Sequence, residues 1–164
     1  MGTAVRKLRG RSDLVTDGVR VKVESTFLPL HSQPKSGLYQ FSYRVKIINE
    51  RRRPVQLIDR HWSITDAMGH IVEIANERQR PIQLLDRNWI VTYAMGHIEE
   101  IQPPKMISET PLISPGSSHS YHSFCVINTS FGSMNGHYEM INMEGQRFKV
   151  EIGKFNLLTP EVIH

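Results

Sequence analysis

Two adjacent stretches of this chain carry nearly the same text. "INERRRPVQLIDRHWSITDAMGHIVEI" runs from Ile48 to Ile74, "ANERQRPIQLLDRNWIVTYAMGHIEEI" continues at once from Ala75 to Ile101, and 18 of the 27 aligned positions are identical. Stacked-repeat folds need about three or more units to bury a continuous core, so two copies this short do not make a solenoid. Identity this high points to a recent or constructed duplication. Each unit reads as a long strand ("PVQLIDRHWSITD" in the first copy), a turn at "AMG", and a short return strand ("HIVEI"). Gly69 or Gly96 can supply the positive φ such a turn uses. The apolar phase slips within the long strand: Val55 and Leu57 sit at odd positions, Trp62 and Ile64 at even ones. That slip predicts a bulge or bend near Asp59–His61. A unit of two strands returns the chain in its original direction, so it can be inserted whole without reversing the downstream strands.

The rest of the chain alternates at period two. "VRVKVES" sets Val19, Val21 and Val23 against Arg20, Lys22 and Glu24, and "LYQFSYRVKIIN", "HSYHSFCVIN", "GHYEMINM" and "RFKVEI" continue the pattern. Turn-forming pieces separate them ("SQPKSG", "ISPGSS", "SFGSMNG", "MEGQR"). Short strands at this spacing, with no convincing amphipathic helix, predict an all-β antiparallel sandwich or barrel. At 164 residues the chain is expected to form one domain. It has no apolar run of membrane-spanning length and no leader-like apolar stretch, and its single cysteine, Cys125, lies in the apolar "SFCVI". These features predict a cytoplasmic protein with a buried, inert thiol. The net charge of +4 is modest, and Arg6, Lys7, Arg9 and Arg11 crowd the start. No aromatic residues interleave those charges as a nucleic-acid stacking surface would need, so residues 1–16 read as a solvated, flexible tail.

Chemical signatures are sparse. His119 and His122 are three apart on a predicted strand and so face opposite sides. His70 and His97 come just after the turn glycines and read as exposed; only stacking of the two hairpins would bring them together. No Cys/His cluster or carboxylate array has ligand spacing, so neither metal nor cofactor is expected. No G-x-S-x-G occurs, and Cys125 lacks an activating neighbour, which argues against an enzyme. In "RHW", Trp62 reads as core and Arg60 as the partner of a carboxylate such as Asp59 or Asp66. The alternative places Arg60 and His61 against an anion at the strand bend.

The stretches "FSYRVKIINERRRPVQLIDRHWSITDAMGHIVEI" and "FGSMNGHYEMINMEGQRFKVEIGKFNLLTPEVIH" resemble the ApaG family, also called CorD. The landmarks are N-E, P-V-Q-L, R-H-W and a distal G-x-M-x-G-x-Y-x-M. The last falls on Gly132, Met134, Gly136, Tyr138 and Met140, with Gly145, Phe148, Val150, Ile152 and Phe155 beyond it. The resemblance covers about residues 17–164. It implies an immunoglobulin/fibronectin-III-like sandwich of about seven strands, here enlarged by the duplicated hairpin, as a single domain containing units 48–74 and 75–101. It also implies a non-enzymatic binding module, linked to cobalt and magnesium homeostasis, that acts through a protein partner or a small anionic ligand. Some members are proposed to hold pyrophosphate or nucleotide on a glycine-rich loop. In this chain the three glycines of that loop fall on Pro103, Lys105 and Ser108, which weakens a phosphate nest because proline removes a donor. Lys105 and Ser108 remain its candidate ligand contacts. Two other readings stand beside this one: a duplicated scaffold with no ligand function, and a nucleotide- or pyrophosphate-binding or -hydrolysing protein. Copy one keeps the R-H-W and the Asp of the turn, so it is expected to occupy the core slot. The surplus strands could leave an edge that favours a homodimer.

Overall fold

The computed structural model describes residues 10–74, 90–92, 98–100 and 110–160, the two short segments as backbone only. Its strands are β1 (Arg11–Thr16), β2 (Val19–Phe27), β3 (Tyr39–Asn49), β4 (Val55–Asp66), β5 (Ile71–Ile74), β6 (Ile90–Thr92), β7 (Ile98–Glu100), β8 (Leu112–Ile113), β9 (Ser118–Ile127), β10 (Phe131–Asn142) and β11 (Arg147–Leu158). One antiparallel sheet runs β1-β2-β3-β9 and the other β11-β10-β4-β5, with β8 also paired to β4. The two form a β-sandwich, as the alternation predicted.

Inward residues from both sheets make one core. Val19, Val21, Val23, Tyr43, Val45 and Ile47 come from the first sheet; Leu57, Trp62, Met134, Tyr138, Val150 and Phe155 come from the second. Trp62 lies 5.1 Å, ring to ring, from Tyr43 and 6.1 Å from Phe155, so one large side chain fastens the layers together. The Tyr121 and Tyr138 hydroxyls share a buried hydrogen bond. Cys125 is buried, as its apolar neighbours predicted, with its Sγ 3.7 Å from Met134 Sδ. The N-E landmark has a structural cause. The Asn49 amide donates to the carbonyls of Arg53 and Ile113 (both 2.9 Å), and its Oδ1 accepts from the Arg51 N–H. This buried side chain organises the β3–β4 connection, while Glu50 pairs with Arg20 at 2.8 Å.

Arg11–Thr16, expected to belong to the flexible tail, instead form β1 in register with β2. The cause is the Asp17–Gly18 pair, with φ of 50° and 78°. Both central residues have positive φ, as a type I′ hairpin turn requires. Residues 1–9 lie outside the described part of the chain.

Copy one of the repeat occupies the sandwich: β4 is flanked by β10 on one side and by β5 and β8 on the other. In copy two, β6 and β7 pair with each other as a two-stranded sheet outside both main sheets. The hairpin register is the same in both copies. Ser63↔Glu73, Ile64↔Val72 and Thr65↔Ile71 become Ile90↔Glu100, Val91↔Glu99 and Thr92↔Ile98. The copies differ in their turns. Asp66 Oδ1 accepts from the N–H groups of Met68 and His70, both at 2.9 Å, whereas copy two has Tyr93 at this place, with no carboxylate to offer.

Candidate functional site

The phase slip in β4 is a β-bulge. Met140 pairs with Leu57 and Glu139 with Asp59, leaving Ile58 as the extra residue. Before it Val55 and Leu57 point inward; beyond it Arg60, Trp62 and Ile64 do. The bulge therefore turns Asp59 and His61 outward beside β10, where they lie opposite Glu139 and His137. Close approach of the two strands is required here. A Cβ on Gly136 would lie 2.0 Å from the His61 carbonyl oxygen, and one on Gly132 would lie 2.5 Å from that of Thr65, which explains both glycines of the distal motif.

This outer face of β4, β10 and β11 gathers ionisable groups. His61 Nε2 is 3.9 Å from Asp59 Oδ2, and single ligand atoms of Asp59, His61 and Glu139 all lie within 4.8 Å of one another. Asp59 Oδ1 also accepts the Arg60 backbone N–H at 3.0 Å. The imidazoles of His61 and His137 stack at 4.6 Å with 17° between planes. Arg147 Nη1 approaches Glu139 Oε1 at 3.8 Å. His61, His137, Glu139, Arg147, Phe148 and Lys149 line a cavity of about 310 Å³. Partial burial, then repulsion from His61 and Lys149, pushes the His137 imidazole below its ordinary pKa against the pull of Glu151 and Glu139.

A second candidate surface is the outer face of the other sheet, a broad trough of about 860 Å³. Two cross-strand rows cross it: Asp13–Lys22–Lys46–Ser120 and Arg11–Glu24–Arg44–His122. Asp13 is engaged by Arg20 at 3.0 Å. Lys22 and Lys46 face each other directly, a like-charge pairing that disfavours the bare sheet. Among the described residues, neither of these lysines has a carboxylate partner.

The residues singled out from sequence separate. His61 lies in the ionisable cluster. Arg60 points the other way: it is fully buried, with its guanidinium 4.9 Å over the Tyr121 ring, and so is not on the surface where an anion would meet it. Lys105 and Ser108 lie outside the described residues, as does His97. His119 and His122 do face opposite sides, the latter exposed in the trough, and His70 is exposed. Sequence reasoning missed Glu139, because the β4–β10 pairing that brings it to Asp59 joins segments nearly eighty residues apart. It also read Lys22 only as part of the polar face of its strand and did not single out Lys46. Among the described residues no helix is long and apolar enough to cross a membrane.

The ApaG domain model (DUF525) matches residues 29–74 and 69–142, so that one match ends with copy one and the other starts at its turn. Protein ApaG of Brucella suis biovar 1 is 34% identical over 147 residues, covering 90% of this chain and 92% of that protein. Protein ApaG of Anaeromyxobacter dehalogenans is 36% identical over 149 residues, covering 91% and 96%. Among solved structures, an X-ray structure of a Northeast Structural Genomics Consortium target superposes with a TM-score of 0.68 at 30% identity, covering 90% of this chain and 92% of that one. A Bordetella pertussis protein named ApaA superposes with a TM-score of 0.64 at 26% identity, covering 93% and 98%. Sequence and architecture agree, and the chain belongs to the ApaG family.

Proposed function

We propose that this domain is a non-catalytic binding module that takes a small polyanion, pyrophosphate or the phosphate chain of a nucleotide, in the trough of the β1-β2-β3-β9 sheet. The observation that carries this reading is the direct opposition of Lys22 and Lys46, with Arg44 and Arg11 in the neighbouring row. Two ammonium groups held side by side weaken the sheet, and an anion between them relieves that repulsion. Lysine suits such a role as a mobile point charge with three donors, and arginine adds a planar fork that matches phosphate. Backbone nests are not needed in a site of this kind, which fits a chain without the loop glycines.

Calorimetric titration of pyrophosphate and of a nucleoside triphosphate at low and high salt tests the reading. Affinity should fall with salt and drop about tenfold or more in Lys22→Ala and Lys46→Ala. Affinity indifferent to both substitutions would refute the trough. Phosphate release during incubation would refute the non-catalytic assignment. No binding by the intact chain at millimolar ligand would favour a scaffold without ligand function.

A further inference from the structure

The geometry points to a divalent transition-metal site on the other sheet, formed by Asp59, His61 and Glu139. Asp59 and Glu139 are directly opposite each other across the β4–β10 ladder, where two carboxylates repel. Their ligand atoms and that of His61 already converge within 4.8 Å, and the 3.9 Å between Asp59 and His61 is close to the spacing in a coordination shell. Ligands at about 2.0–2.1 Å from a tetrahedral ion sit about 3.3 Å apart, so small side-chain rotations close the shell. Three protein ligands would leave one position for water or an anion, and two of them, His61 and Glu139, line the cavity shared with His137, Arg147 and Lys149.

The donor set selects the ion. One imidazole with two carboxylates suits zinc or its first-row neighbours; calcium takes six to eight oxygens, and magnesium keeps most of its water. His137 stacks on His61 and fixes the plane of that ring. Arg147 now approaches Glu139, but its side chain is 64% exposed, and a screened surface pair yields to a metal at little cost. Copy two keeps the aspartate (Asp86) but has Asn88 where copy one has His61, so the repeat does not double the ligand set and one ion per chain is expected.

Titration of the intact, chelator-stripped chain with zinc chloride, monitored by calorimetry and by the zinc-dependent rise in melting temperature, tests the site. We expect one equivalent to bind. Affinity should fall about tenfold or more in His61→Asn and in Glu139→Gln, while His70→Ala and His122→Ala leave it unchanged. His61→Asn installs the residue of copy two, and Glu139→Gln preserves shape, so apo melting near the wild-type value separates ligand loss from misfolding. Should one of these variants fail to fold, the other decides. Zinc binding that survives the two substitutions, no binding at millimolar zinc, or magnesium binding more tightly than zinc would each overturn the assignment.

Discussion

Gly136→Ala tests the close approach of β4 and β10 most directly. The added Cβ would sit 2.0 Å from the His61 carbonyl oxygen and 3.1 Å from Trp62 Cα, all backbone atoms of a central strand. A carbon–oxygen contact needs about 3.3 Å, so the strands must part locally by about 1.3 Å. That exceeds what a ladder hydrogen bond tolerates, and the pairs around Trp62 would loosen. Overpacking costs typically about 1–3 kcal/mol, and a site where neither neighbour is a flexible side-chain end belongs at the upper end. For a chain of this size about 3 kcal/mol corresponds to roughly 6–12 °C in melting temperature. Urea denaturation monitored by tryptophan fluorescence would read the loss. Gly145→Ala is the control. Gly145 has φ +82° with nothing within 4 Å of an added Cβ, so its cost is conformational strain alone, about 1–2 kcal/mol. A Gly136→Ala protein within about 0.5 kcal/mol of wild type, or less affected than Gly145→Ala, would refute the steric reasoning.

Three further outcomes are expected. Deleting residues 75–101 should leave a folded sandwich of unchanged or higher stability, because copy one supplies β4 and β5; a chain that fails to unfold cooperatively in denaturant would place copy two in the core. The folded pKa of His137 lies below its unfolded value near 6.5, so its contribution is full above that pH and is lost as pH falls through the unfolded value toward the folded one. His137→Asn should flatten the stability profile on the acid side of about pH 6.5, and identical profiles would contradict the assigned environment. Desolvation pushes the Asp66 carboxyl upward but is outweighed by the N–H groups of His70 and Met68 and by the His70 imidazole, which leave it below its ordinary value. Its contribution is present above about pH 4 and disappears as pH falls through the folded value, so Asp66→Asn should flatten the acid limb of a denaturation-versus-pH series; an unaltered acid limb would show the turn does not depend on this charge.

Much of the architecture was legible because alternation reports burial directly. The odd-to-even slip from Leu57 to Trp62 placed the Ile58 bulge within a residue or two, since a one-residue insertion is what exchanges the two faces of a strand. The Asp66-to-Tyr93 difference likewise favoured copy one, and Asp66 proved to anchor that turn. β1 was missed for a compositional reason. "RSDLVT" buries little, so its polarity outweighed the Asp-Gly hairpin signal just after it. The two candidate sites were hidden for a different reason. Each is assembled by ladder register, Lys22 with Lys46 and Asp59 with Glu139, and register between distant strands is a property of the closed sandwich rather than of either segment.

The shared hairpin register also bears on how the chain folds as it is made. A hairpin forms in about 1–10 μs, whereas synthesis adds about 5–20 residues per second, so each copy can close its own turn soon after it emerges. Copy one leads by 27 residues, a head start of a few seconds. That lead does not decide the outcome, because the strand both copies would pair with, β10, is not made until residues 131–142. By then both hairpin sequences are on offer, and the better-anchored one is expected to prevail by free energy rather than by arrival time. Refolding from denaturant should therefore seat the same copy as synthesis does.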